Sequence, residues 1–314
     1  MYGVDGTALS RQYKEKTSDF NDWKAELPKT GSLIYPQNIS YQLSIDETSL
    51  SNGELYTIVT NKKAKGKKGS LVALIKGTKA DHVIKELKQI PKHLRNKVQE
   101  ITLDMAAPMI NICTYCFTKA TQVTDRFHVQ KLAYEAVQEL RIQHRWQALD
   151  KENDQIDQAK KEGRIFNAEI LSNGDTLKQL LARSRYILFK HHSKWTKKQQ
   201  IRAAILFEKY PDIKKAYQLC MELFEIYQKT KVKGIAFTKL ARWYEEVEKS
   251  NFKSFRTVKR TIQQHYISIL NYFDNRSTNA SAESFNAKIK GFRLQLRGVR
   301  DTKFFLFRLS KIFA

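Results

Sequence analysis

The chain has 314 residues, 41% of them hydrophobic, enough for one large domain or two smaller ones around a sizeable core. Its 56 Lys and Arg against 32 Asp and Glu leave a formal net charge of +24 spread along the whole length. That balance points to work against a polyanion, nucleic acid being the commonest, with a merely solvated basic surface as the alternative. Three cysteines exclude a disulfide framework and favour a reducing compartment, and no apolar stretch suggests export or a membrane span.

Residues 1–38 are polar and mixed and include Pro28 and Pro36; they read as a lead-in segment packed loosely on a core, with no evident helix-turn-helix. In "YQLSIDE", Tyr41, Leu43 and Ile45 alternate with Gln42, Ser44 and Asp46, a period-two strand signal. "ELYTIVTN" and "GSLVALIKG" predict two more strands joined by "KKAKGKKG". Lys62, Lys63, Lys65, Lys67 and Lys68 there make a basic hairpin tip that lacks the spacing of a phosphate-cradling loop. "ADHVIKELKQI" has helical spacing at Val83, Leu87 and Ile90, and "VQEITLDM" returns to strand. "APMINICTYCF" predicts a helix that buries Cys113 and Cys116, with no second cysteine pair to complete a zinc site. "KATQVTD" reads as a short strand and "FHVQKLAYEAVQELRIQHRWQAL" as the start of a long helix. The order β-β-β-α-β-α-β-α implies an antiparallel meander joined to a parallel half. From about 130 to 270 only helical patterns follow, broken at "SNGD", "YPD" and "VKG".

Asp46 and Asp104 each read as the end of a strand, with a hydroxyl residue, Ser44 or Thr102, two positions earlier. On neighbouring strands their side chains would lie ~5 Å apart and repel unless a cation sat between them, and magnesium suits such oxygen ligands. Ordinary strand-end aspartates at turns are the alternative. In "NRSTNASAESFNAKIKGFR" a helix would carry an apolar stripe of Ala282, Phe285, Ile289 and Phe292. Glu283, Asn286 and Lys290 would share the adjacent polar face, and Ser277, Thr278 or Asn279 would cap the start. Glu283 paired with Lys288 or Lys290 on an open surface is the alternative to a third ligand. Two metal ions held about 3.5–4 Å apart by such a cluster could activate a water or 3′-hydroxyl and stabilise the leaving oxygen.

Taken together, "SIDETSLSNGELYT", "ITLDMAAPM", "DRFHVQKLAYEAVQELR", "NGDTLKQLLARSRY" and the Glu283 stretch resemble a bacterial insertion-sequence transposase of the Asp-Asp-Glu class, more narrowly the L3-type family. The resemblance runs from about residue 40 to the end. It implies an α/β fold, a ribonuclease-H-like mixed sheet with a large all-helical insertion before the last catalytic helix. The parts would be a lead-in (1–38), the first part of the core (39–130), the insertion (131–267) and a C-terminal part of the core carrying Glu283 (268–314). Asp46, Asp104 and Glu283 match the family's catalytic and metal-binding triad, implying Mg2+ or Mn2+, two ions, and a metal-dependent polynucleotidyl transferase. Asp125 and His128 match an Asp-x-x-His element, where a hydrogen bond between them could fix a loop beside the site; a plain structural cap is the alternative. Asn279, Ala280, Ala282 and Asn286 would be small, neutral neighbours that let phosphate approach, and Lys288, Lys290 and Arg293 the start of a DNA path.

The helical block adds "RSRYILFKHHSKWTKKQQIR", where Arg183, Arg185, Lys190, Lys194, Lys197, Lys198 and Arg202 interleave with Tyr186 and Trp195. Cations beside a stacking ring suit phosphate and an unstacked base, whereas a core role for Trp195 is the alternative. The resemblance further implies double-stranded DNA partners, namely terminal inverted repeats and target, action in the bacterial cytoplasm at the nucleoid, and a homo-oligomer on DNA. A sequence-reading helix-turn-helix is expected from a separate upstream polypeptide, or the chain is a truncated product. The competing functions are a catalytically silent DNA-binding remnant and a ribonuclease-H-like nuclease on another substrate.

Overall fold

Strand alternation decides the centre of the fold, because Leu43 and Ile45 are fully buried on one face while Gln42, Ser44 and Asp46 line the other. The computed structural model describes residues 5–28, 30–51, 53–295, 299 and 301–314. The chain divides into two units, Met1–Asp125 with Asn275–Ala314, and Arg126–Asp274.

The first unit holds one six-stranded sheet in the order β1-β4-β3-β2-β5-β6. The strands are β1 (Leu33–Ile34), β2 (Gln42–Ser51), β3 (Glu54–Asn61), β4 (Leu71–Lys76), β5 (Glu100–Leu103) and β6 (Thr121–Thr124). β2, β3 and β4 form the antiparallel meander, and β5 and β6 join β2 in parallel, as the order of sequence signals implies. The helices Ala80–Leu87 and Ala107–Cys116 cover one face, where Leu43, Ile45, Val59, Ile75, Val83, Leu87, Ile101, Ile112 and Cys113 interlock. Burial pushes the Cys113 thiol well up and the Cys116 thiol up to about 11, so both are inert packing groups. The helices Ala280–Gln295 and Thr302–Phe313 cover the other face, packing Phe285, Ile289, Phe305, Leu309 and Phe313 against Tyr56, Ile58 and Leu74.

The lead-in is more firmly built than its polar composition suggests. Leu33 and Ile34 form the edge strand β1 against β4. Phe20 is buried, with its ring centroid 5.1 Å from Phe304 and 5.4 Å from Phe307. Lys14 reaches Asp301 at 2.6 Å, closing the same contact from outside. A few large apolar residues in a polar segment suffice to dock it when a hydrophobic helix face awaits them.

The second unit is helical, with main helices Arg126–Lys161, Leu177–Arg183, Lys197–Lys209, Pro211–Lys229, Lys233–Ser250 and Lys253–Gln264. Local chemistry sets their limits. Thr176 with Gln179 and Thr196 with Gln199 make capping boxes, Pro211 opens a helix at a position where no amide is needed, and Asn251 ends one at φ 58°. Leu180, Leu206, Leu223, Phe255 and Ile262 fill the interior, and Trp243 donates its indole N–H to the Leu219 carbonyl at 2.8 Å.

Asp175 is the electrostatic anchor of this unit. Its side chain is 1% exposed and accepts from Arg202 Nε at 2.8 Å, from Arg183 and from Asn173. Burial alone would raise its pKa, but the two guanidinium groups outweigh it and hold the carboxyl below the usual range. A depressed acid contributes stability above its unfolded value, 3.8, that is lost as pH falls through the folded value. The helical unit is therefore expected to lose stability below about pH 4, and Asp175→Asn to flatten that acid limb while lowering stability at neutral pH. Circular dichroism melts of both proteins from neutral pH downward check this; an unchanged acid limb in the variant would dismiss Asp175 as its source.

Candidate active site

The parallel ladder between β2 and β5 pairs Gln42 with Glu100, Leu43 with Ile101 and Ser44 with Thr102, and there it stops. β5 is short because the chain turns out of the sheet at Asp104, whose Oδ1 accepts the Ala106 N–H at 2.9 Å, and Pro108 sits in the first turn of the next helix. β2 continues to Ser51 along β3, with Asp46 opposite Ile58. Asp46 is therefore mid-strand, not at a strand end as its sequence context suggests. What ends at Asp46 is the neighbour on one side only, leaving that side open.

Asp46 on β2 and Asp104 just beyond the end of β5 each lie two residues past the last ladder pair, Ser44 with Thr102, and their carboxylates are near enough to act on a common neighbour, Glu47. Glu47 senses both: partial burial raises its carboxyl, and the charges of Asp104 and then Asp46 raise it further. Asp46 is held at both oxygens, Oδ1 accepting the Glu47 N–H at 2.8 Å and Oδ2 accepting Asn286 Nδ2 at 2.8 Å.

That second bond comes from the helix Ala280–Gln295, which lies along the polar face of β2. The Ser281 and Ser44 hydroxyls stand 3.5 Å apart, and Asn286 touches Asp46 two residues farther along the strand. Glu283 falls between these two contacts in sequence and is exposed, its N–H donating to the Asn279 carbonyl at 2.9 Å. Among the described residues no three Asp, Glu, His or Cys side chains close around a common point that could hold a metal ion. The candidate ligands are nonetheless all carboxylates, the donor type that a hard divalent cation prefers.

Three expectations for this helix are corrected. Asn286 does not share an open polar face with Glu283 and Lys290; it is buried, because the helix rotates Ala282, Phe285, Asn286 and Ile289 onto the sheet. Ser277 is not a helix cap but a donor to Glu100. Asn279 is 1% exposed with neither amide atom bonded, so it is a packed residue and not an open approach for phosphate.

Sequence reasoning missed Glu100. This carboxylate is 4% exposed and accepts from Asn275 Nδ2 at 2.9 Å, from the Ser277 hydroxyl and from Gln42 Nε2 at 3.4 Å, with Lys62 Nζ at 3.6 Å. Lys62 also donates to Thr102 Oγ1 at 2.8 Å. Burial pulls the Lys62 ammonium below its usual range in spite of Glu100 and Asp125, whose charges act the other way. Lys62 is thus a structural cation and not a loop contact for DNA. Its neighbours Lys63, Lys65, Lys67 and Lys68 stay exposed and make no ion pair among the described residues. Lys288 bridges to the same loop, donating to the Gly66 carbonyl at 2.7 Å, while Lys290 is exposed and Arg293 half-buried. Gly66 needs its left-handed φ of 71°, and a Cβ there would meet Lys288 Nζ at 2.8 Å.

Asp125 is buried in the first unit, and His128, half-buried beside Phe127, belongs to the second. In the second unit Trp195 is not a free stacking ring: it donates Nε1–H to the Ile187 carbonyl at 3.0 Å and packs 5.4 Å from Tyr217. Arg183 and Arg202 are committed to Asp175. Lys194, Lys197 and Lys198 remain exposed, as does Tyr186, with Arg185 over its ring at 5.6 Å.

A family model described as "Transposase", that of the L3-type insertion-sequence transposases of the Asp-Asp-Glu class, matches residues 43–309. The chain belongs to this transposase family. The match spans β2 to β6, the whole helical unit and the helix that carries Glu283. The fold of this transposase is accordingly α/β and ribonuclease-H-like, with a helical insertion, and its substrate is DNA. No curated protein matches the chain. Among the described residues of the transposase no helix is long and apolar enough to cross a membrane.

Proposed function

We propose that this transposase cuts DNA strands at the ends of an insertion sequence and joins them to target DNA through a carboxylate triad, Asp46, Asp104 and Glu283, that binds divalent metal. What supports this reading is that Asp46 on β2 and Asp104 just past β5 both act on Glu47, while Asn286 of the helix bearing Glu283 bonds Asp46. Asn286 and the Glu47 N–H fix both oxygens of Asp46, and the Ala106 N–H fixes Asp104, so two ligands are oriented by the protein itself. Glu283 completes the set from the first turn of its helix, where the positive end of the helix dipole favours a carboxylate. When bound, Mg2+ or Mn2+, as one or two ions, would supply Lewis acidity for an in-line phosphoryl displacement. Lys63, Lys65, Lys67 and Lys68 hold the phosphate backbone near this face, and two element ends are bound at once by at least two copies of the chain.

The test is metal removal. Purified protein, with an end-binding helix-turn-helix module supplied in trans, is given DNA carrying the element ends. Nicks or joined products are expected with Mg2+ or Mn2+ and none with a chelator. Cleavage that persists in chelator would overturn the metal reading, and salt-sensitive binding with no cleavage under any condition would favour a silent DNA-binding protein.

A further inference from the structure

Beside the carboxylates, on the same unit, lies a cleft of about 740 Å³ between the start of β2, the loop after β3 and the segment leading into the Glu283 helix. Its walls include Ser40, Tyr41, Gln42, Lys63, Lys65 and Arg276. No carboxylate lines it. The nearest one, Glu100, is buried and saturated by Asn275, Ser277, Gln42 and Lys62. The cleft therefore presents cations, amides and hydroxyls with nothing to repel a phosphate. Tyr41 is 61% exposed, and among the described residues no aromatic ring packs on it. Arg276 follows the short helix Tyr272–Asn275 with a left-handed backbone at φ 53°, a common way for a helix to end, and its side chain joins the cleft wall.

We propose that this cleft binds one unpaired nucleotide of a DNA single strand, its base stacked on Tyr41 and its flanking phosphates on Lys63, Lys65 and Arg276. Stacking platforms combined with cationic walls are the general solution for single strands, because every base offers a π-face and every phosphate a charge. A duplex end does not fit the same description, since its bases are already stacked and its width exceeds one side chain's reach. Gln42, Ser44 and Asp46 share one face of β2, so the cleft lies roughly 13 Å from the carboxylates along the strand. A strand opened at the cut would thus have its freed nucleotides held a short way from the reacting phosphate. That placement rests on the catalytic reading above; the binding itself does not.

The experiment separates the two. Fluorescence anisotropy with a labelled oligothymidylate and with a blunt duplex is measured in chelator, where no cleavage chemistry operates. Tyr41→Ala is expected to weaken single-strand binding about tenfold and leave duplex binding unchanged, with Tyr41→Phe close to wild type. Lys63→Ala with Lys65→Ala should weaken single-strand binding and flatten its salt dependence. An oligothymidylate bearing a photoreactive base should crosslink to Tyr41. Equal loss on both DNA forms, or wild-type single-strand binding by Tyr41→Ala, would overturn the nucleotide site; Tyr41 is exposed, so misfolding is not the expected cause of a loss, and thermal melts check it. Intact binding effects combined with active triad variants would instead fault the catalytic reading alone.

Discussion

Asp104→Asn is expected to abolish strand cleavage, by about a thousandfold or more, and at the same time to raise the melting temperature of the metal-free protein. The two effects share one cause. The negative charge of Asp104 acts on Glu47, and that repulsion is relieved by a nearby cation or by protonation of Glu47. Asparagine keeps the acceptor for the Ala106 N–H while removing the charge. The sign of the pH dependence follows from Glu47. Its pKa is raised in the folded protein, so the folded state is favoured most below the unfolded value, 4.5, and that advantage is lost as pH rises through the folded value. The gain from Asp104→Asn should then be visible at neutral pH and vanish on acidification. Thermal melts at neutral pH and near pH 4, beside a cleavage assay on element-end DNA, measure both halves. Asp46→Asn and Glu283→Gln should lose activity equally, with Glu283→Gln shifting the melt least because that side chain is exposed. A variant that cleaves like wild type ends its residue's claim to the triad.

The second large effect belongs to a residue without a catalytic assignment. Removing the buried Glu100 carboxylate takes an acceptor from Asn275 and Ser277 and leaves the largely buried Lys62 ammonium without its counter-charge. Glu100→Ala is expected to cost ~3–5 kcal/mol, the usual penalty for breaking one side of a buried ionic cluster. Glu100→Gln should cost less, since an amide oxygen still accepts from Asn275 and Ser277. Pairing Glu100→Ala with Lys62→Met should recover part of the loss, because the uncompensated cation goes with its partner. Denaturant unfolding of the single and double variants measures these differences; a loss under ~0.5 kcal/mol for Glu100→Ala, the scale of a surface change, would show that the cluster is idle.

The two cases differ in how visible they were beforehand. Asp46, Asp104 and Glu283 are singled out by the resemblance to transposases; local periodicity reads only the two alternating strands and the helix with one apolar stripe that carry them, and leaves ordinary surface roles open. The meander and the parallel pair follow from the order of those same patterns. Glu100 could not be found this way, since "VQEITLDM" offers it only as a polar residue of a strand, and its partners Asn275 and Ser277 lie 175 and 177 positions away. Asp46 was misplaced at a strand end because nothing in "SIDET" says that one neighbour stops while the other runs on. Trp195 and Asn286 were misjudged for a related reason. Whether a ring or an amide faces solvent depends on which helix face is chosen by distant contacts, and a mixed polar stretch leaves that choice open.

Residues 126–274 separate the two parts of the sheet-bearing unit, yet the chain leaves that unit at Asp125 and re-enters at Asn275 around a single group of side chains. Asp125 acts on the Lys62 charge, and Asn275 bonds the carboxylate that Lys62 accompanies. Closing a loop of that length by random search is an entropic burden, and a domain that folds on its own would shorten the search by bringing its ends to order first. During synthesis a nascent chain holds both aspartates long before Glu283 exists. On the proposed reading, a chain at that stage lacks the third carboxylate of its triad, and the interruption delays the completion of the site until the last segment docks.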